Sequence, residues 1–510
     1  MAPSFLYKGS VLSLNNVASI VSVLENANLI VNQGNLDLKQ DVRQLCTDSR
    51  KLRSTDVFIA YQGVSFDSHD LIPDLSSKEL SVLVGDNAEK LAGYNRPYIL
   101  VSDSRKAWAY LAAAAEENPE AEIPMFAVTG TNGKTSSAWL AKEFMDQAGQ
   151  HGLIIGTMGA FFKDQVFETK HTTPDPPELF ALIRNAKELG ADFVMMEVSS
   201  HSISQEKLGP IKFDGALFTS FSRDHLDFHK SMHEYFRCKM RLFLEFTKVD
   251  GRMIFHQDVL KVLQDSGINL SSYEIYGHGE HCQWQEKTLS RNLRRFSFEL
   301  THQESKWTFD VPLVGDFIIS NLSGVLALFS EMWKGQDIEG HCTKLKTVPG
   351  RLERVESGEE QATVFVDYAH TPDALESCLK TLAPMVEGDL IVVFGCGGDR
   401  DRGKRPIMGK VAVQNADRVL ITSDNPRSED PLQIIRDIEE GVDKHLLNDC
   451  YSEVSRELAI KKSIFDANKN DCILLAGKGH ETYQVLKDKT IYFDDRECAQ
   501  KYIIQIERPK

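Results

Sequence analysis

The run AVTGTNGKTS, Ala127 to Ser136, decides how the rest of the chain is read. It ends as a phosphate-binding loop ends, with Gly-Lys-Thr, but its glycines are set differently. The common loop carries a Gly five residues before the Gly-Lys pair. Here Val128 stands at that place, and the nearest upstream glycine is Gly130. What speaks for a nucleotide site is context. The apolar MFAV before the run reads as a strand, and SSAWLAKEFMDQAG after it reads as a helix. A strand-to-helix turn points backbone N–H groups and the positive end of the helix dipole at an anion. In that setting Lys134 reaches the outer phosphates of ATP, and the Thr135 hydroxyl holds Mg²⁺. The bland alternative, a glycine-rich turn without a ligand, explains the glycines but not the Gly-Lys-Thr ending.

Working outward, the composition is that of a globular chain. Of 510 residues, 42% are apolar and 26% charged, a length for which three domains are expected. No apolar run is long enough to cross a bilayer, and MAPSFLYKGSVLSLNN lacks the basic start and apolar core of a secretory signal. Nine cysteines without a CxxC pair read as reduced thiols of a cytoplasmic protein, not as a disulfide frame or zinc site. A formal charge of −16 argues against broad nucleic-acid binding.

Two polar, turn-forming stretches divide the chain: ENPEAEIP (Glu117–Pro124) and KTVPGRLERV (Lys346–Val355). The expected pieces are residues 1–120, 121–346 and 347–510. In the middle piece MFAVTG, FVMMEV and GALFTS alternate with helical segments; in the last, TVFVDYA, DLIVVFG, RVLITS and CILLAG do the same. Such alternation predicts α/β domains with parallel sheets, whose ligands gather at the carboxyl ends of strands. RRFSFELTHQESKWTFDVPL, near residues 285–315, predicts an antiparallel pair instead.

Several further stretches carry chemistry. FVMMEVSSH ends a strand with Glu197, where a Mg²⁺ ligand belongs beside a phosphate loop, although an isolated acid there could equally cap a helix. SRDHLDFH places His225 and His229 four apart. A zinc protease needs His-Glu-x-x-His, and Leu226 takes the glutamate's place, so that reading fails. A surface histidine pair competes for His229, whereas His225 is the better metal candidate. In the last piece DYAHTPDAL (Asp367–Leu375), GCGGDRDRGKRP (Gly395–Pro406), SDNPRSEDP (Ser423–Pro431) and AGKGHE (Ala476–Glu481) follow apolar strands, as the walls of a polar ligand cleft would.

In this order the pieces closely resemble the Mur ligases, along essentially the whole chain. TGTNGKT is that family's short phosphate loop unchanged, and TTPD at 172–175, EVSSH at 197–201, SRDHLDFH at 222–229, PGRLE at 349–353, DYAHTPDAL and DNPR accompany it. Any one is weak; the ordered set is highly specific. The resemblance implies an N-terminal uridine-binding α/β domain, a central P-loop ATPase-type parallel sheet and a C-terminal Rossmann-like domain. It implies an ATP-dependent ligase, acting as a monomer, that joins meso-2,6-diaminopimelate to UDP-N-acetylmuramoyl-L-alanyl-D-glutamate through an acyl phosphate.

The resemblance also implies roles. Gly130, Thr131, Asn132, Gly133, Lys134 and Thr135 hold ATP phosphates, with Asn321, Arg351, Asp367 and Tyr368 near the nucleotide. Thr135, Glu197 and His225 surround Mg²⁺, and Lys239 in RCKMRLF matches a lysine carried as a carbamate, an anionic metal ligand; its bland reading is a helix-surface lysine. Lys134, Lys239 and His225 form the catalytic set. Ser49 in TDSR falls in the uridine pocket, and Thr172, Thr173, Ser199 and Lys207 contact the muramoyl dipeptide. Arg400, Asp424, Asn425, Pro426, Arg427, Gly477 and Glu481 take the amino acid, with Arg427 gripping the distal carboxylate that lysine lacks. Lysine-adding relatives usually lack that arginine. Two departures stand out: Lys207 replaces a frequent Arg, which loosens bidentate binding, and FIISN places Ile318 where the family commonly has Asn.

Two rivals remain. A folate polyglutamate ligase shares the phosphate loop but should lack TDSR and DNPR, and a non-enzymatic ATP switch leaves Lys239 and the C-terminal loops without a purpose.

Overall fold

The strand Met125–Thr129 is buried along its whole length, as expected of a central parallel strand covered on both faces. It lies between Phe193–Glu197 and Phe213–Phe218, parallel to both. The computed structural model describes residues 14–63, 66–226, 228–358, 360–443 and 450–507. These divide into two compact units, one of residues 1–284 with 324–334, the other of 285–323 with 335–510.

The first unit holds two sheets. The larger runs outward from Met125–Thr129 through Phe213–Phe218 and Thr247–His256 to Glu274–Gly277 on one side. On the other side come Phe193–Glu197 and Gly152–Gly156, all parallel, and then the antiparallel Gly159–Phe162 and Gln165–Phe167. Helices Lys134–Gln147 and Pro176–Glu188 supply the crossovers, the second starting on the proline that a first helical turn tolerates. Leu179, Phe180 and Ile183 from the latter helix join Met125, Ala127, Val194 and Met196 in one core. MFAVTG, FVMMEV and GALFTS therefore form neighbouring parallel strands, and the phosphate loop leaves the carboxyl end of the central one.

The smaller sheet has the order Ile30–Gly34, Tyr98–Val101, Val82–Gly85, Val57–Ile59, Leu45–Cys46. Helix Val17–Asn26 turns Val17, Ile20, Val21 and Leu24 into its core, against Ala107 and Leu111 of helix Ser104–Ala115. Asn16 and Ser19 close the first helix with a reciprocal capping box. Buried His69 sits between carboxylates, 2.7 Å from Asp67 and 3.1 Å from Asp86, while Lys90 bonds Asp67 at 2.7 Å. Burial disfavours charge on His69, but the two acids outweigh it and raise its pKa.

In the second unit Phe296–His302 and Ser305–Val311 form the predicted antiparallel pair. The main sheet runs Glu353–Val355, Thr363–Asp367, Cys472–Ala476, Leu390–Phe394, Arg418–Thr422, Cys450–Glu453, parallel except for its first strand. The four chemistry-bearing loops of the last piece all follow strands of this sheet. No disulfide joins the described cysteines. Among the described residues no helix is long and apolar enough to cross a membrane.

Candidate functional site

In the first unit the site starts at the phosphate loop. Gly133 takes a left-handed φ of 87° and Lys134 begins the helix. The Lys134 ammonium folds back over the loop, donating to the carbonyls of Gly130 at 2.8 Å and Thr131 at 2.9 Å. Lys239, 1% exposed, arrives from helix Met232–Arg241 and donates to the same Gly130 carbonyl at 2.8 Å. It is therefore no helix-surface lysine. Burial, reinforced by the Lys134 charge, drives the Lys239 pKa far down, toward a neutral amine. Thr131 approaches the Tyr235 hydroxyl at 3.4 Å, and Asn132 N–H donates to Ser220 Oγ at 2.9 Å.

Glu197 is buried at the end of its strand. Thr135 Oγ1 and Thr157 Oγ1 each donate to Oε2 at 3.0 Å, and Thr157 N–H donates to Oε1 at 3.0 Å. Burial raises the Glu197 pKa, with the Lys134 charge and these hydrogen bonds opposing it. Gly156 is obligatory here, because a Cβ at that position would stand 2.1 Å from Glu197 Oε1. Thr172 Oγ1 lies 3.1 Å from Thr157 Oγ1; Thr173 Oγ1 donates to the Glu197 carbonyl at 3.0 Å. Lys207 donates to the Thr173 carbonyl at 3.3 Å and pairs with Asp175 at 2.8 Å. Thus Thr135, Glu197, Thr172, Thr173 and Lys207 form one connected network, with Thr157 as the member that no sequence pattern flagged. Ser199 caps the short helix Ser200–Ser204 beside it. Ser49 opens a short 3-10 turn, Ser49–Lys51, after strand Leu45–Cys46 of the smaller sheet, and its carbonyl accepts from Lys78 at 2.9 Å.

His225 sits in a ring cluster with His201, at 4.9 Å between centroids, and Tyr235, at 5.9 Å. His229 is 2% exposed, packed 5.1 Å from Tyr235. The surface-pair expectation for His229 therefore fails, because helix Met232–Arg241 carries Tyr235 over it.

The second unit holds the remaining candidates. Buried Asp367 accepts from Leu352 N–H at 2.7 Å and Ala369 N–H at 2.8 Å; burial raises its pKa against the Arg351 charge. The Arg351 guanidinium lies 4.9 Å over the Tyr368 ring. His480 tilts against that ring at 5.3 Å, its pKa lowered to about 4 by burial and by the charges of Arg351 and Arg496. Asn321 is buried on helix Asp316–Leu328, as is Ile318, so the residue replacing the family's Asn serves the core.

The amino-acid candidates converge on one another. Asn425 Nδ2 donates to Glu481 Oε2 at 2.9 Å, and its Oδ1 accepts from Val485 N–H at 2.9 Å. Arg427 N–H donates to the Val485 carbonyl at 3.0 Å, and its Nη1 donates to the Gly398 carbonyl at 2.8 Å. Asp424 abuts Gly477: a Cβ there would lie 2.7 Å from Asp424 Oδ2. Pro426 covers Gly398 from the same loop, and Arg400 is exposed, its Cγ 3.6 Å from the Cβ position of Gly397. Lys478, fully buried, pairs with Glu481 at 3.3 Å and donates to the Tyr483 carbonyl. Arg405 clamps Glu429 with two nitrogens, at 2.9 and 3.0 Å, and Asp437 at 2.8 Å, tying the 395–406 loop to the 423–431 loop. Lys478 and Arg405 lie in motifs visible in the sequence, yet only the folded loops show what they hold. His225, Leu352, Asp399 and Arg427 adopt left-handed φ values of 51°, 40°, 53° and 51°.

Comparison with known proteins gives these loops a family. Residues 128–329 match the model of the Mur ligase middle domain, and 350–479 that of the Mur ligase, glutamate ligase domain. The chain is 36% identical to the UDP-N-acetylmuramoyl-L-alanyl-D-glutamate--2,6-diaminopimelate ligase of Clostridium tetani (strain Massachusetts / E88), covering 95% of this chain and 99% of that protein. It is 38% identical to the Clostridium botulinum (strain ATCC 19397 / Type A) protein of the same name, covering 92% and 96%. A solved structure of a ligase so named superposes with a TM-score of 0.70 at 29% identity, over 94% of this chain and 98% of that one. The fold extends to the MurF ligase of Thermotoga maritima, at a TM-score of 0.59 and 17% identity over 91% and 99%. It also extends to a Mycobacterium tuberculosis folylpolyglutamate synthase, at 0.57 and 17%, which covers 73% of this chain and is itself 92% covered. The α/β architecture, the short phosphate loop and full-length similarity agree: the chain belongs to the Mur ligase family, whose members are ATP-dependent ligases.

Proposed function

We propose that this chain joins meso-2,6-diaminopimelate to the D-glutamyl residue of UDP-N-acetylmuramoyl-L-alanyl-D-glutamate at the expense of ATP. One observation carries the reading: relatives bearing that name align at 36–38% identity over 92–95% of the chain. Three pieces divide the work. Residues 1–120, with Ser49, hold the UDP end; 121–346 hold ATP and the dipeptide; 347–510 hold the amino acid.

The γ-carboxylate of the D-glutamyl residue attacks the γ-phosphorus of ATP, giving an acyl phosphate and ADP. The amine then attacks the acyl carbon, loses a proton, and inorganic phosphate leaves. Lys134, now lying on loop carbonyls, exchanges them for phosphate oxygens and offsets the charge of the transferring group. The loop N–H groups cradle the phosphates. Lys207, Thr172, Thr173 and Ser199 orient the dipeptide. Asp424, Asn425, Arg427 and Glu481 orient the zwitterionic end of the amino acid, which a planar guanidinium and a carboxylate match. The chemistry is chiefly positioning.

The donors around Glu197 suit Mg²⁺, a hard cation that takes a few protein oxygens and completes its shell with phosphate oxygens and water. Thr135 and Glu197 would hold it, with His225 and the Lys239 carbamate nearby; when bound it neutralises phosphate charge. Carbamylation needs the Lys239 amine without its extra proton, the form that burial and the Lys134 charge favour; that amine adds to the carbon of CO₂ and loses a proton to give the anionic carbamate.

The test is ADP release with ATP, the UDP-muramoyl dipeptide and meso-diaminopimelate. Turnover that requires all three supports the reading. Turnover only with a folate and glutamate favours the folate ligase, and ATP binding without turnover favours the switch.

A further inference from the structure

The side chains of Arg456 and Asp495 are both without exposed surface, and the guanidinium grips the carboxylate twice, Nε at 2.7 Å and Nη2 at 2.6 Å. The fold accounts for the acid, which opens helix Asp495–Glu507, better than for the base. Arg456 opens helix Arg456–Phe465, where the positive end of the dipole disfavours a cation. A buried ion pair is also often no more stabilising than apolar side chains of similar volume. What the pair touches is the amino-acid loop. The same Nη2 donates at 3.0 Å to the carbonyl of Ala476, the last residue of strand Cys472–Ala476. Next in the chain is Gly477, with a left-handed φ of 113°, packed so closely on Asp424 that a Cβ would meet its Oδ2 at 2.7 Å. Asp424 also lies within electrostatic reach of Arg456, whose Nη1 is buried without a hydrogen-bond partner.

We infer that Arg456 is a positioning residue for amino-acid binding: fixed by Asp495, it pins the Ala476 carbonyl and, through Gly477, sets where the Asp424 carboxylate stands. The inference rests on the reading of residues 424–427, 477 and 481 as the amino-acid site. A cation that is merely structural would support the sheet as a whole. This one bonds the single carbonyl from which the loop departs, and its charge faces the loop's acid.

The test replaces the pair as a unit. Arg456→Met with Asp495→Leu removes both charges together, so neither is left buried without its partner and the fold is expected to survive. At saturating ATP and UDP-muramoyl dipeptide, the KM for meso-diaminopimelate should rise about tenfold or more, the scale of losses when supporting groups behind a site are removed. The KM values for ATP and the dipeptide should hold. Arg456→Lys, keeping the charge and one donor, should fall between the double variant and wild type. A folded double variant with the wild-type amino-acid KM overturns the proposal, as does an equal rise in all three KM values. If the double variant does not fold, Arg456→Lys decides by the same split: a selective rise supports the role, and no rise or a uniform one overturns it. Wild type in the same assay separates the two layers. Absence of amino-acid-dependent ADP release overturns both, whereas normal wild-type turnover with an unshifted variant overturns the role of Arg456 alone.

Discussion

The phosphate loop and the loops proposed to take the amino acid handle charge in opposite ways. At the loop, Lys134 and Lys239 both donate to the carbonyl of Gly130, two amines on one neutral oxygen. In the second unit the cations meet carboxylates: Arg405 with Glu429 and Asp437, Lys478 with Glu481, Arg456 with Asp495. A carbonyl holds an ammonium less strongly than an anion does, so at the first site a phosphate can displace Lys134 from the Gly130 carbonyl. The second is organised before its ligand arrives, and its selectivity depends on what the internal pairing leaves over. One region waits for charge; the other shapes a cleft with charge already balanced.

The largest expected effect tests the first half of that contrast. Lys134→Ala should retain the fold, since a strand-to-helix turn does not need the ammonium, yet lose about 10³-fold or more in ADP formation. A folded variant with near-normal turnover, judged by circular dichroism and the coupled assay, would remove the phosphate loop from the chemistry.

Lys239→Ala should be nearly as damaging, by about 10²–10³-fold, but partly restored by formate or acetate, which can occupy the place of the carbamate proposed on Lys239. Arg405→Ala should show no such rescue, because its partners are already carboxylates. Equal rescue of both variants, or of neither, breaks the comparison. Intact-mass measurement in bicarbonate adds an independent check through the mass of one CO₂ on Lys239.

Arg427→Ala sharpens the second half. A site built around a hydrogen-bonded group can reject an analogue lacking it by up to about 10⁴–10⁵ in kcat/KM, and solvent in the cleft reduces that figure. The variant should lose mainly diaminopimelate activity and narrow the gap to L-lysine. Measuring kcat/KM for both amino acids in both proteins decides it. A variant with its full preference would move selection elsewhere.

The smallest effect concerns pairing away from either site. Because the folded pKa of His69 is raised, its contribution to stability is full below about 6.5 and is lost as pH rises through the folded value. Wild type should melt lower by roughly 2–4 °C across that rise, and His69→Gln should flatten the dependence. A steeper profile in the variant would contradict the pairing.

How much of this was legible beforehand follows the range of the signals. Continuous apolar runs such as FVMME and LIVVF announced parallel strands, and Gly-Lys-Thr at a strand-to-helix turn announced the loop, because both are local patterns. The strands of the smaller sheet are not legible one by one: IVNQG and LC are too short or too polar to declare themselves. Thr157 meets Glu197 across 40 residues, and Arg456 meets Asp495 across 39. Such pairings exist only once strands are in register, so no spacing rule finds them. His229 looked like a surface residue because nothing nearby in sequence says that Tyr235 will cover it.

The left-handed backbone at His225, Leu352, Asp399 and Arg427 has a consequence for anyone altering this chain. Each bears a side chain in a conformation that disfavours one, at about 1–2 kcal/mol for an ordinary residue, and each lies in a motif loop. Glycine would relax all four. A screen for heat resistance alone would therefore be drawn to these positions, and its winners would gain melting temperature by erasing the His225 ring and the Arg427 guanidinium. On the roles proposed for His225 and Arg427, durability and turnover are rival properties of the same residues in these loops, and a useful thermostable form should be sought everywhere else first.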